Sequence, residues 1–336
     1  MTSLTLKQAV GQLFIVGFEG TRLPIPLTGA LMKDEVGGVI LFRRNITDAA
    51  QLLALTQSIR DLKLKFSPWI AVDQEGGKVQ RLAENVGLSK RPSAAEIGRL
   101  SADETFAYAR DLAKEVRHFG FNLNFAPVLD IHTNPDNPII GDRAYGTTPQ
   151  AVIAHAIPMI NGFLAEGLVP CGKHFPGHGD TDTDSHLDTP VVRHTLDRLR
   201  NIEFKPFEAA IEAKIPMIMT AHIVMQGIGE RFPSTLSPLV VTDLLRKSLG
   251  FEGVIVSDDL EMNAIIDNYS CLKAVLLGLR AGVDLFLICK SQYLWAPLCK
   301  QVVEEAKKDR ELERRIFESA ERILALKNTF LSTTEA

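Results

Sequence analysis

Several things are missing from this 336-residue chain. No apolar run reaches the roughly 18 residues needed to cross a bilayer. Met1 to Gly11 holds no basic stretch followed by an apolar one, so no secretory leader is read there. No long basic run appears and the formal net charge is −4, which argues against nucleic acid or an anionic membrane as partner. The four cysteines, Cys171, Cys271, Cys289 and Cys299, lack metal-type spacing; Cys171 and Cys289 sit in apolar runs and read as buried thiols. Gly17-Phe18-Glu19-Gly20 does not fit the dinucleotide fingerprint of a doubly wound sheet. No low-complexity linker, short-period repeat or second-domain signature is present. A cytoplasmic protein in a reducing compartment is expected.

What is present is alternation. Short apolar runs fall at Leu13–Gly17, Gly38–Phe42, Trp69–Asp73, Asn122–Leu129, Leu168–His174, Met217–His222, Gly253–Asp258 and Val283–Cys289. Several are continuously apolar, as parallel strands covered on both faces should be. Helical patterns lie between them. Thr47-Asp48 precedes one reaching Leu62, and Ser101-Ala102-Asp103-Glu104 is a capping box for one reaching about His118. Thr148-Pro149 opens another, ending near Gly167. Further helices are expected at Asp197–Ala213, Val240–Leu249, Cys271–Ala281, Pro297–Lys308 and Glu311–Leu326. Eight strands alternating with helices predict an α/β protein, a single (β/α)8 TIM-type barrel over residues 1–336, with a short disordered tail from about 330.

The polar residues gather where such strands end. Asp73-Gln74-Glu75-Gly76-Gly77 closes the third, Asp130 follows the fourth, and the loop beyond carries Asp142-Arg143. The sixth closes on His222 and the seventh on Ser257-Asp258-Asp259. In a barrel these ends converge on one face, where substrate binds. After the fifth strand, Lys173-His174-Phe175-Pro176-Gly177-His178-Gly179-Asp180-Thr181-Asp182-Thr183-Asp184-Ser185-His186 packs three histidines, a lysine and three aspartates around two glycines and a proline. A solvated loop has no need of that density of imidazole.

Asp258, nearest its strand, is the better candidate for a nucleophilic carboxylate, while Asp259 reads as a helix cap. Asp184 stands two residues before His186, where a carboxylate can orient an imidazole and raise its pKa towards neutrality. A metal site on His174, His178 and His186 is the alternative; its spacing matches no zinc signature and Lys173 would repel a cation. Arg81 lies beyond the Gly-Gly turn and Arg143 beyond a Pro- and Asn-rich loop, so both read as site residues. Lys173, next to His174, reads as a polar clamp for hydroxyls, and His174 reads either as orienting its neighbours or as touching the ligand. His132, His155 and His194 read as structural.

At Val72–Gly77, Asn122–Asp130, Gly141–Arg143, Lys173–His186 and Ser257–Met262 the chain resembles glycoside hydrolase family 3, in particular its bacterial single-domain β-N-acetylglucosaminidases of peptidoglycan recycling. That resemblance implies a retaining enzyme with Asp258 as nucleophile and His186 as general acid/base, assisted by Asp184. It implies sugar-binding roles for Asp73, Arg81, Arg143, Lys173 and His174, and neither metal nor organic cofactor. The implied partner is a small carbohydrate, a muropeptide fragment with N-acetylglucosamine β-1,4-linked to anhydro-N-acetylmuramic acid, with or without peptide. No nucleic-acid or membrane partner is implied, and a monomer is expected. A histidine acid departs from the usual pair of carboxyl groups. A β-glucosidase or a glycoside phosphorylase on the same barrel is the alternative within the class. A non-catalytic sugar-binding barrel and a Schiff-base enzyme using Lys173 are alternatives outside it.

Overall fold

Runs such as Gly38–Leu41 and Trp69–Val72 are buried at every position, which only a strand covered on both faces allows. In a computed structural model, which describes residues 4–181, 190–291 and 293–331, eight such strands form a closed parallel barrel. They are β1 (Phe14–Val16), β2 (Gly38–Leu41), β3 (Trp69–Val72), β4 (Leu123–Asn124), β5 (Val169–Phe175), β6 (Met217–Thr220), β7 (Val254–Asp259) and β8 (Leu285–Ile288). Each pairs with its sequence neighbour, and β8 closes on β1 through Phe14–Phe286 and Val16–Ile288. All eight expected strands are present; most are shorter than expected, while β5 and β7 each run one residue further, to Phe175 and Asp259. A small parallel ribbon, Val191–Val192 with Val224–Met225, lies outside the barrel.

The connecting helices begin where caps predict. Ser101 and Glu104 exchange bonds of 3.2 and 2.8 Å at the start of Ala102–His118, and Thr148 caps Pro149–Ala165. The helix expected over 197–213 is two, Leu196–Asn201 and Lys205–Glu212. Pro206 cannot donate to a continuing ladder, so it serves as a first-turn residue of the second piece. The segment expected at 240–249 is a helix over Leu239–Ser248 with π-type turns. The C-terminal helix runs Arg310–Leu331, beyond its expected end, because Lys327 is buried at the barrel base. Two seven-residue helices, Leu6–Gln12 and Ile25–Leu31, were not expected. The expected tail after 331 lies outside the described residues. Among the described residues no helix is long and apolar enough to cross a membrane.

Candidate active site

The C-terminal strand ends surround a cavity of about 280 Å³ whose wall includes Asp73, Arg81, Arg143, Lys173, His174 and Asp258. Six of the eight expected site residues are thus brought together. The other two, Asp184 and His186, lie outside the described residues.

The Asp73-Gln74-Glu75-Gly76-Gly77 segment works by alternation. Asp73 and Glu75 point into the cavity, as i and i+2 in extended chain must, and Gln74 points away. Gln74 Oε1 accepts from the amides of Arg81 (2.8 Å) and Leu82 (3.0 Å), and its Nε2 donates to Leu82 O at 2.8 Å. That tie folds the loop back and sets Arg81 beside Asp73, at 3.4 Å. Gly76 makes the reversal at φ +105°, where a Cβ would lie 2.1 Å from Pro92 O, so glycine is required.

Glu75 is the hub of the cavity wall. Arg143 grips it with two bonds of 2.9 Å, the bidentate fork that guanidinium geometry favours. Lys173 reaches it at 2.6 Å and also reaches Asp73 at 2.9 Å. Burial pushes the Glu75 carboxyl up, but Arg143 and Lys173 outweigh it and hold the group far below its ordinary value. Burial likewise works against the Lys173 ammonium, and Asp73 and Glu75 more than offset it. Glu75, Arg143 and Lys173 thus stabilise one another as ions and stand pre-placed, with polar atoms turned to a concavity.

Asp130, wholly buried, sets the β5 end. It accepts His174 Nδ1 at 2.6 Å, the His174 amide at 3.2 Å and the His178 amide at 2.6 Å. An ionised carboxylate only accepts, so His174 Nδ1 carries the proton and Nε2 is left beside Arg143 Nη2, at 3.5 Å. Burial, helped by neighbouring His174, pushes the His178 ring down to about 4. This neutral ring bonds Thr181 Oγ1 at 2.7 Å. Gly179 packs so closely that a Cβ would meet Ile131 O at 1.6 Å. His174 is thus tied to Asp130 and His178 to Thr181, while His186, the third histidine of the motif, lies outside the described residues.

Asp258 ends β7 at the cavity floor. Burial raises its carboxyl, yet His174, His222, the Asp259 amide and Lys173 hold it below its ordinary value; that amide donates at 2.7 Å. Asp258 is an anion at neutral pH, as an attacking carboxylate must be. Asp259 differs: burial, with Glu261 and Asp258 nearby, pushes it up to about 7. It does not cap the next helix, as the sequence suggested. The helix Asn263–Ile266 starts after Met262, and Asp259 instead accepts the amides of Glu261 and Cys289, both at 3.1 Å, joining the β7 and β8 ends. His222 is occupied by Thr235 (2.8 Å) and Asp259 O (3.0 Å). His155 and His194 are structural, bonded to Thr105 and Asp180, and Cys171 and Cys289 are buried thiols.

Sequence reasoning assigned no role to Glu75, Asp130, Phe42 or Lys290, and weighed His178 only as a metal ligand, yet all five lie in or against this cavity. For Glu75 the signal was there, two residues after Asp73 in extended chain. For Phe42, whose ring lies 4.6 Å from the Arg44 guanidinium and 5.6 Å from that of Arg81, no sequence signal exists, because the three meet only in the closed barrel.

The chain matches the model of the glycosyl hydrolase family 3 N-terminal domain over residues 5–326. It is similar to a beta-hexosaminidase of Stenotrophomonas maltophilia, 38% identical over 284 residues, 82% of this chain and 83% of that one. Beta-hexosaminidase A of Pseudoalteromonas piscicida is 36% identical over 80% of this chain, which spans 48% of that protein's length. Among solved structures, a glycoside hydrolase family 3 beta-N-acetylglucosaminidase from Paenibacillus sp. superposes with TM-score 0.92 at 37% identity, over 99% of this chain and 64% of that one. A beta-N-acetylhexosaminidase from Beutenbergia cavernae gives 0.90 at 31%, over 98% and 100%.

Proposed function

The chain belongs to glycosyl hydrolase family 3, and on that premise we propose that it is a retaining exo-β-N-acetylglucosaminidase that removes terminal β-linked N-acetylglucosamine from peptidoglycan fragments in cell-wall recycling. The observation that carries the reading is Asp258: a buried carboxylate held ionised at the floor of a cavity walled by pre-placed hydroxyl-binding ions. Such walls suit a sugar ring, whose hydroxyls both donate and accept. Asp73 and Glu75 offer acceptors, and Arg81, Arg143 and Lys173 offer donors. Arg81 Nε is buried and has no partner among the described residues, so it is a donor a hydroxyl can satisfy.

In the proposed reaction Asp258 attacks the anomeric carbon and forms a glycosyl ester. His186, oriented by Asp184, protonates the departing oxygen and then deprotonates the water that cleaves the ester. Both roles are carried by the family resemblance alone. Similarity to beta-hexosaminidases favours an N-acetylated sugar over glucose. Recycling places the enzyme in the cytoplasm, acting as a monomer on muropeptide fragments.

The test is release of nitrophenol from 4-nitrophenyl N-acetyl-β-glucosaminide by wild type and by Asp258→Asn. Turnover that vanishes in the folded variant supports the reading. Turnover of the glucoside but not the N-acetylglucosaminide would transfer it to a β-glucosidase, and sugar 1-phosphate formed on adding phosphate would transfer it to a phosphorylase.

A further inference from the structure

Of the residues lining the cavity, Lys290 alone is exposed; the rest are buried or half-buried. It follows β8, at the exposed rim of the cavity. Five cations line this space, and four have carboxylate partners: Arg44 with Glu19 (3.0 Å), Arg81 with Asp73 (3.4 Å), Arg143 with Glu75 (2.9 Å) and Lys173 with Asp73 and Glu75. Lys290 is the exception. Among the described residues its ammonium bonds only the carbonyl of Glu261, at 3.0 Å.

An exposed lysine is ordinarily a mobile, solvated charge. This one is fixed. The nearly buried Glu261 carboxylate accepts the Lys290 amide at 2.6 Å and the Ser291 amide at 3.0 Å. The same residue thus pins the backbone of Lys290 with its side chain and the ammonium with its carbonyl. That carboxylate accepts the two amides, and among the described residues it forms no ion pair with the Lys290 ammonium. An ammonium has three donors, and two remain. Holding a cation in place before a ligand arrives lowers the ordering cost of binding.

We propose that Lys290 is a specificity-determining residue that receives a carboxylate on the leaving-group portion of the substrate. The inference rests on the glycosidase reading above and narrows its substrate class to anionic aglycones. The cavity, about 280 Å³, is at the small end of ligand pockets and has room for one sugar unit. Recognition of the rest of the substrate falls to the rim, and there Lys290 offers a cation with no carboxylate partner among the described residues.

The experiment uses a matched pair of disaccharides, N-acetylglucosamine β-1,4-linked to N-acetylmuramic acid and the methyl ester of the same compound, which differ by one charge. kcat/KM is measured for both with wild type, Lys290→Gln and Lys290→Glu, at low and high salt. Wild type is expected to prefer the acid, and added salt should erode that preference. Lys290→Gln should shrink the acid-to-ester ratio about three- to fivefold, the scale of an exposed ion pair. Lys290→Glu should shrink it about tenfold or more, since like charges are actively rejected. A ratio unchanged in both variants overturns the inference while leaving the glycosidase reading intact. No turnover of either compound by wild type overturns both.

Discussion

The two ends of this barrel each hold a buried ionic network, and they are built to opposite ends. At the C-terminal face, Glu75, Asp73, Lys173, Arg143 and Arg81 are paired yet leave polar atoms turned to a cavity, and Arg81 Nε has no partner among the described residues. At the N-terminal face, Asp284 precedes β8 and is fully buried. Its carboxylate takes Arg246, Arg315 (2.9 Å), Arg322 (2.7 Å), Ser319 (3.0 Å) and the Ile255 amide (3.0 Å). Arg246 also donates to the carbonyls of Phe251 and Gly253, and Arg315 to that of Val283. That network is spent on itself and ties the C-terminal helix to the strand ends. One network is held open for a ligand and the other is closed for stability, so the same kind of substitution should read out differently at each end.

The largest effect is expected at the open end. Asp258→Asn should lower kcat by about a thousandfold or more, as removal of a group that acts in the transition state does, with the thermal midpoint little changed. An equal loss of folding and activity would break the comparison. Glu75→Gln comes next. It removes the charge that positions Arg143 and Lys173, and misplacement of such groups costs about a hundredfold in kcat/KM. The measurement pairs kinetics with a melting curve; a variant that melts much earlier yet turns over normally would reassign Glu75 to the structural class.

At the closed end the order reverses. Asp284→Ala leaves three guanidinium groups without their carboxylate, and breaking a buried pair costs about 3–5 kcal/mol. Chemical denaturation should show that loss, while kcat of the folded fraction stays near wild type. A stable but inactive Asp284→Ala would mean that the base of the barrel communicates with the mouth.

The contrast also shows what a sequence discloses. The barrel was legible because all eight strands are apolar runs long enough to stand out from the helices between them. The candidate site was legible in part because it lies at strand ends: Asp73, Lys173, His174 and Asp258 sit on or beside barrel strands. Arg81 was legible as a position but not as a mechanism, since the Gln74 tie that places it depends on side-chain bonds across a loop. Lys290 left no trace, because what sets it apart is the lack, among the described residues, of a carboxylate partner in three dimensions. Asp284 was equally silent. One aspartate before an apolar run looks ordinary until arginines from two distant helices reach it. The broken helix at Pro206 was visible, since proline there marks a first turn, but the residue count alone suggested one continuous helix.

The smallest effect concerns Lys327, which the C-terminal helix inserts into the barrel base. Its ammonium donates to Gln12 Oε1 and Gly37 O, both at 2.7 Å, and lies 5.7 Å from the Trp69 ring centre. Burial pushes its pKa down to about 7, only partly opposed by Asp34. In the unfolded chain a lysine keeps its proton to about 10.4, so between these values the unfolded state binds more protons. Stability contributed by this site therefore rises with pH across that window and is lost as pH falls through about 7. Lys327→Met removes the titration along with two hydrogen bonds. The bonds set a constant offset, and the titration sets a slope. Denaturant melts of wild type and Lys327→Met at pH 6.5, 8 and 9.5 should show the wild type gaining on the variant as pH rises. A gap that stays flat would mean that this lysine is charged in the folded barrel throughout.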